Sequence, residues 1–299
     1  MTSETTTLET QNSYKIISGY LTIIGKQPDG DSMGFIPNNP NAFDGVYRNH
    51  LLKPSVRDGS VQLRFEGIDT PELHYGTDMQ PHSKSARDYI LKLCQFVNTV
   101  YIKTGGKNST IIHSSKPEKI KAYIACNGLE PHGRPISYVY LGTTENDGQV
   151  LSIPPNELKN SLNYKMLEEG LAYLLTYSSM PSSHIDYFRA AAIRAKTAKK
   201  NIWSIDTTNM FTLEKKSSIE GEEAQLIFPK LFRRCMDYYN DVHKGFNGTF
   251  IEWLKKGDDN DMILTYGSNK EVPLSSFIKQ RNTITWFRTD SNYLVFIEK

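Results

Sequence analysis

The sequence predicts a small β-barrel carrying helical additions, followed by a smaller α+β unit. Three observations lead there. Many short strand-like runs and few helices occupy the stretch before residue 205. The composition turns polar after "NIWS" (Asn201 to Ser204). A final block then mixes one long helical pattern with a short helix and several strand-like runs.

Taken in order, residues 14 to 24 favour a strand, and "QPDGDS" ends it in a turn through its Pro, Gly and Asp content. Residues 34 to 60 hold prolines, asparagines and glycines and read as a long loop. "VQLRFE" alternates, with Val61, Leu63 and Phe65 on one face and Gln62, Arg64 and Glu66 on the other. Ala86, Tyr89, Ile90, Leu93 and Val97 recur at helical spacing and predict a helix over about 82–97. "TVYIK", "KIKAYIAC" and "PISYVYL" are strands, the last two joined by the turn "NGLEPHGR". Helices are expected over about 161–174 and 183–200. The expected division is a disordered tail over 1–13, a barrel domain over 14–205, a linker over 206–220 and an α+β domain over 221–299. In the last, a helix over about 224–240 precedes "TFIEWLKK" (a helix) and the strands "MILTYG", "TITWF" and "YLVFIE".

The composition removes several classes. With 38% hydrophobic and 23% charged residues the chain is of globular type. No run of eighteen apolar residues predicts a membrane span, and no secretory signal is visible, so a cytoplasmic location is the expectation. The formal charge of +2 neither requires nor excludes nucleic acid, because local patches decide that. Cys94, Cys126 and Cys235 are few and far apart, as reduced thiols are. The histidines show no HExxH or HxH spacing for zinc.

The chemistry concentrates in three separated stretches: "DGDS" with Asp29 and Asp31; "LRFEGIDTPE" with Arg64, Asp69, Thr70 and Glu72; and "EPHGRP" with Arg134. Hard cations such as Ca²⁺ take carboxylate, carbonyl and water oxygens. Asp31 and Asp69 suit such an ion, with the Thr70 carbonyl as a third ligand. Glu72, beyond a proline that shapes the turn, is placed to orient or deprotonate a water. Two arginines offer planar forks to a phosphate that gains charge during attack. The sum is a phosphodiester hydrolase. Arg64 and Asp69 are an odd number of residues apart and would face opposite ways on a regular strand. A bulge or strand break near Gly67 is therefore expected to re-aim Asp69.

With these residues in place, the sequence resembles the staphylococcal nuclease (thermonuclease) family. "DGDS", "RFEGIDTPE", "HGR" and "AKKNIWS" match that family's segments in its order, over roughly residues 14 to 204. The resemblance implies a five-stranded OB-type barrel with packed helices, and Ca²⁺ held by Asp31, Asp69 and the Thr70 carbonyl. It implies Glu72 as catalytic base, Arg64 and Arg134 as phosphate clamp, and cleavage of the P–O5′ bond of DNA and/or RNA to leave 3′-phosphates. The chain departs from compact members in longer stretches at 33–60 and 104–130, and in His132 before the turn glycine. The family's nucleotide-stacking tyrosine pair is not cleanly present; Tyr177 is the nearest candidate and Tyr173 the second.

Alone, "DTPE" is a helix N-cap with a proline at N1, "DGD" an ordinary turn, and Arg134 a surface residue. Their ordered coincidence favours the nuclease. The rival is a non-catalytic OB-fold module that binds nucleic acid or protein; degenerate copies of that sort lose the acids or arginines kept here. A third reading gives the C-terminal domain a protein partner of its own. "KLFRRC" (Lys230 to Cys235) reads either as a solvated helix face or as a nucleic-acid contact.

Overall fold

The computed structural model describes residues 13–46, 50–104, 110–257, 260–265 and 270–298. Of the expected tail, all but Ser13 lies outside the described residues.

Five strands close a barrel, and the alternating run "VQLRF" is what closes it. β1 (Tyr14–Thr22) pairs antiparallel with β2 (Gly34–Pro37). β3 (Val61–Gln62) and β4 (Arg64–Phe65) are two halves of one run, and they lie at opposite ends of the same sheet. β3 pairs with β2, while β4 pairs parallel with β9 (Pro135–Leu141). Between these ends the order passes through β1 and β8 (Lys119–Leu129). Counting β3 and β4 as one strand gives the five-stranded, nearly closed barrel of the OB type. The alternation predicts this directly: Val61, Leu63 and Phe65 are buried, and Gln62 and Arg64 are only half-buried.

The strand break near Gly67 is present. β4 ends at Phe65, and β5 (Ile68–Asp69) restarts beyond a turn in which Gly67 has φ 80°. A Cβ at Gly67 would stand 2.7 Å from the Phe188 ring. Gly67→Ala is therefore expected to lose about 2–5 kcal/mol, from left-handed backbone strain plus overpacking. A denaturant melt checks this; an unchanged midpoint would show that the turn relaxes freely.

Helix α1 (Ser83–Leu93) is shorter than its apolar pattern suggests. Gln95 turns left-handed at φ 61°, and the apolar run then continues as β6 (Val97–Lys103), paired with β7 (Thr110–Lys116). A short β10 (Val150–Leu151) joins β1 at its start. Helix α2 (Leu162–Glu169) opens on Ser161, whose hydroxyl accepts from the Tyr164 N–H at 3.1 Å. It ends at the left-handed Gly170 (φ 73°). Residues 171–174, expected as helix, instead lead into β11 (Tyr173–Leu174), which sets Tyr173 opposite Asp69. β12 (Thr176–Tyr177) and α3 (Ser182–Thr197) follow. Cys94, Cys126 and Cys235 are buried and in no disulfide with one another, and Trp203 is buried against Tyr173.

The C-terminal part contains β13 (Met210–Thr212), α4 (Pro229–His243), α5 (Phe250–Lys256), β14 (Met262–Thr265), β15 (Glu271–Pro273), β16 (Ile278–Arg281), β17 (Ile284–Phe287) and β18 (Leu294–Phe296). α5 opens on a capping box, Thr249 with Glu252, as "TFIE" spells out. The stretch expected as a linker is ordered: β13 pairs with β17, and Phe211 and Ile219 are buried. This part is docked onto the barrel. β12 pairs parallel with β18, and Phe228 bridges Tyr173 and Phe296 at ring distances of 5.7 and 6.3 Å. α4 starts on Pro229 and buries Leu231, Phe232, Cys235 and Met236, one stripe of its surface. Among the described residues no helix is long and apolar enough to cross a membrane.

Candidate active site

The end of the closing strand and the Gly67 turn bring Arg64 and Asp69 to the same side. Arg64 reaches Asp69 Oδ1 through Nη2 at 2.9 Å and bonds Asp31 Oδ2 through Nη1. Asp31 stands beside them because its carbonyl accepts the Phe65 N–H at 2.9 Å. The "DGDS" turn is locked against the "DTPEL" loop. Asp29 accepts the Gly30 N–H at 2.8 Å and the Leu73 N–H at 3.3 Å, and the Thr70 N–H points at Asp31 Oδ2 at 3.5 Å. A Cβ on Gly30 would meet Thr70 side-chain atoms at 2.8 Å and Ala86 at 2.9 Å, so the close approach needs glycine. Glu72 is held by its backbone: its carbonyl accepts the Gln80 N–H at 2.8 Å, and its N–H donates to Gln80 Oε1 at 3.1 Å.

Asp31, Arg64, Asp69, Thr70 and Glu72 thus gather at one place. Arg134 stands apart. Its guanidinium is turned onto Glu130, with Nε 3.0 Å from Oε1 and Nη2 3.5 Å from Oε2. Its charge is nonetheless felt at Asp31. Gly133 in the same turn (φ 80°) lies against the long 33–60 segment, where a Cβ would sit 2.2 Å from the Leu51 carbonyl oxygen. That insertion therefore borders the Arg134 turn.

The two tyrosines expected to stack a nucleotide are placed otherwise. Tyr173 is fully buried, donates to Asp206 Oδ1 at 2.8 Å and packs edge-on to Trp203. It has no open face for a base, because Trp203 and Phe228 pack against its ring at 4.8 and 5.7 Å. Tyr177 is half-buried; its hydroxyl accepts from Lys230 Nζ at 3.2 Å, and its ring lies 6.0 Å from that of Phe296. The C-terminal part covers both rings.

A residue that sequence reasoning did not select completes the cluster. Arg233 on α4 reaches Asp69 Oδ1 and Oδ2 at 3.0 Å each and also bonds Glu72 Oε1. The only signal for it was the basic run "KLFRRC", which divides between neighbours. Arg233 enters the carboxylate cluster, Arg234 pairs with Asp261 at 2.9 Å, and Lys230 lies over the Phe296 ring at 4.4 Å. Asp237, one turn along from Arg233, accepts the Tyr75 hydroxyl at 2.7–2.8 Å. Gln80 donates to the Ile227 carbonyl at 2.7 Å, just before α4. The loop that carries Glu72 is therefore pinned to the helix that carries Arg233.

The electrostatics follow from burial and neighbours. Burial pushes Asp29 well above the usual carboxylate range, and Asp31 and Glu72 push the same way. Burial also raises Asp31 and Glu72, with Arg64 opposing it at Asp31 and Arg233 at Glu72. Burial acts upward at Asp69 too, but there Arg233 and Arg64 together win and hold it below its ordinary value. Three acidic side chains, Asp31, Asp69 and Glu72, face the two guanidiniums in contact with them, a formal shortfall of one positive charge.

That shortfall, an all-oxygen donor set and the buried, unpartnered Thr70 Oγ1 suit a hard divalent cation. Among the described residues, however, no three acidic, histidine or cysteine side chains form a closed metal cage. Arg64 and Arg233 stand between the carboxylates that would form one.

Comparison with known proteins agrees with this geometry. Residues 62–205 match the family described as Staphylococcal nuclease homologue. A protein of Emericella nidulans described as probable endonuclease lcl3 is 26% identical over 153 residues, covering 51% of this chain and 42% of that relative. A protein of the same description from Aspergillus terreus is 27% identical over 121 residues, covering 40% of this chain and 31% of the relative. The chain thus spans less than half the length of either relative. Arg233 lies outside the matched family segment. The segment similar to the Staphylococcal nuclease homologue family carries the Gly67 turn, Arg64, Asp69 and Glu72, while Asp31 and Arg233 are brought to it from outside.

Proposed function

We propose that the protein is a Ca²⁺-dependent nuclease that hydrolyses phosphodiester bonds of DNA and/or RNA. The observation that carries this is the convergence of Asp31, Arg64, Asp69 and Glu72, from segments more than thirty residues apart, on one buried acidic cluster. A bound Ca²⁺ would supply positive charge to the phosphate and acidify a water. Asp31, Asp69 and the Thr70 carbonyl are the groups that would hold it. Glu72 takes the proton from the attacking water at a carboxylate oxygen. Arg64 grips the non-bridging phosphate oxygens, where charge grows during attack. Arg134 joins it after exchanging Glu130 for the phosphate. A non-catalytic binding module would not need a buried acidic cluster, because acids repel a phosphate backbone.

The test is digestion of single- and double-stranded DNA and RNA with Ca²⁺ or with a chelator. Cleavage that appears with Ca²⁺ and stops with the chelator supports the proposal. Binding without cleavage under every condition selects the non-catalytic module. Arg134→Lys is expected to lower kcat/KM by about tenfold or more, because a point charge cannot replace a two-pronged fork. Equal turnover by the lysine variant would remove Arg134 from the mechanism.

A further inference from the structure

We propose that Arg233, delivered by the C-terminal helix α4, is a further phosphate-binding guanidinium of the active site. This rests on the nuclease reading above and extends it to a residue outside the nuclease-type segment.

The argument begins with one oxygen. Arg64 Nη2 and Arg233 Nη1 both bond Asp69 Oδ1, at 2.9 and 3.0 Å. Two guanidiniums that meet on a single anionic oxygen are already spaced to grip one phosphate between them. A guanidinium carries five N–H donors. Arg233 spends three hydrogen bonds on Asp69 and Glu72, and Arg64 spends two on Asp31 and Asp69. Donors remain on each for an entering anion. Arg134, by contrast, is engaged by Glu130 and touches none of the carboxylates. Arg233 is thus the guanidinium that stands opposite Arg64 across Asp69.

Charge balance points the same way. Asp31, Asp69 and Glu72 exceed Arg64 and Arg233 by one negative charge. A divalent cation would turn that into one positive charge, which an incoming phosphodiester neutralises. Losing Arg233 would remove the positive charge that attracts the substrate.

The placement is built rather than incidental. α4 is fixed to the Glu72 loop by Tyr75 on Asp237 and by Gln80 on the Ile227 carbonyl. An edge contact between Tyr75 and Phe232 at 6.4 Å and the Gly221 N–H on the Met79 carbonyl at 2.9 Å add to it. The Arg233 side chain is mostly buried but keeps 18% of its surface exposed.

The experiment compares the full chain with Arg233→Gln, Arg233→Lys and, as a charge-matched control, Arg234→Gln. One arm measures cleavage of single-stranded DNA with Ca²⁺. The other measures, by fluorescence anisotropy in chelator, binding of a short labelled single-stranded oligonucleotide. We expect Arg233→Gln to lower kcat/KM by about 10²–10³-fold, as loss of a transition-state donor does. We expect it to weaken oligonucleotide binding several-fold more than Arg234→Gln does. Arg233→Lys should fall between wild type and Gln in both arms, and it serves if the Gln variant fails to fold. Variants at Arg233 that bind and cleave like wild type would overturn the proposal. So would faster cleavage by Arg233→Gln, which would make Arg233 an obstacle that holds Asp69 and Glu72 closed. Wild-type protein that cleaves nothing removes the nuclease reading, while the binding arm still decides Arg233.

Discussion

Glu72→Gln is expected to lower kcat by about 10²–10⁴-fold, the contribution of a positioned general base. The loss should be confined to rate. The loop is held through the backbone of Glu72 by Gln80, and Gln80 is tied in turn to the Ile227 carbonyl; none of these bonds uses the carboxylate. Arg233 keeps its two-pronged grip on Asp69 when Glu72 loses its charge. Thermal midpoint and circular dichroism should therefore stay close to wild type while single-turnover digestion slows. A glutamine variant that digests DNA at the parental rate would transfer the proton to another group.

Asp69→Asn should cost both stability and activity. Asp69 is fully buried and accepts from two guanidiniums, bridging the barrel's Arg64 to Arg233 of α4. Removing one partner from a buried ion pair typically costs about 3–5 kcal/mol, because the remaining charge is left uncompensated. Here two cations lose their shared partner, and the amide turns a donor toward guanidiniums that can only donate. We expect a denaturant midpoint shifted by that amount, together with loss of Ca²⁺-dependent cleavage. Wild-type stability in Asp69→Asn would show that Asp31 and Glu72 alone neutralise the two arginines.

The two variants separate roles that one cluster combines. Glu72 is the proposed base, and its loop is secured through main-chain bonds although its carboxylate also meets Arg233. Asp69 is the one acid that meets both Arg64 and Arg233, so its loss reaches beyond the chemistry.

Much of the barrel was legible because its signals are local. "VQLRFE" shows period two, and its apolar residues Val61, Leu63 and Phe65 are buried, though Glu66 is buried as well. The odd spacing of Arg64 and Asp69 requires a break, and Gly67 supplies it. Helix ends were less legible, because apolar periodicity runs past the true stop. α1 and α2 end at the left-handed Gln95 turn and at Gly170, and the apolar residues beyond them become strands. The strands β13, β15 and β16 were not expected, since three or four residues form a strand only when a partner edge is present.

What the amino-acid sequence determined by itself was which side chains stand as candidate reacting groups and the turn that aims them. Carboxylates, arginines and glycines at those spacings leave few chemistries, and backbone sterics act over a handful of residues. Only the tertiary structure decided which arginine meets which acid. It turned Arg134 onto Glu130, buried Tyr173, and brought Arg233 to Asp69 across 164 residues of chain. The physical reason is that a guanidinium's partner is chosen by what else is buried beside it. That choice rests on the docking of α4 against the Glu72 loop, which no local periodicity encodes.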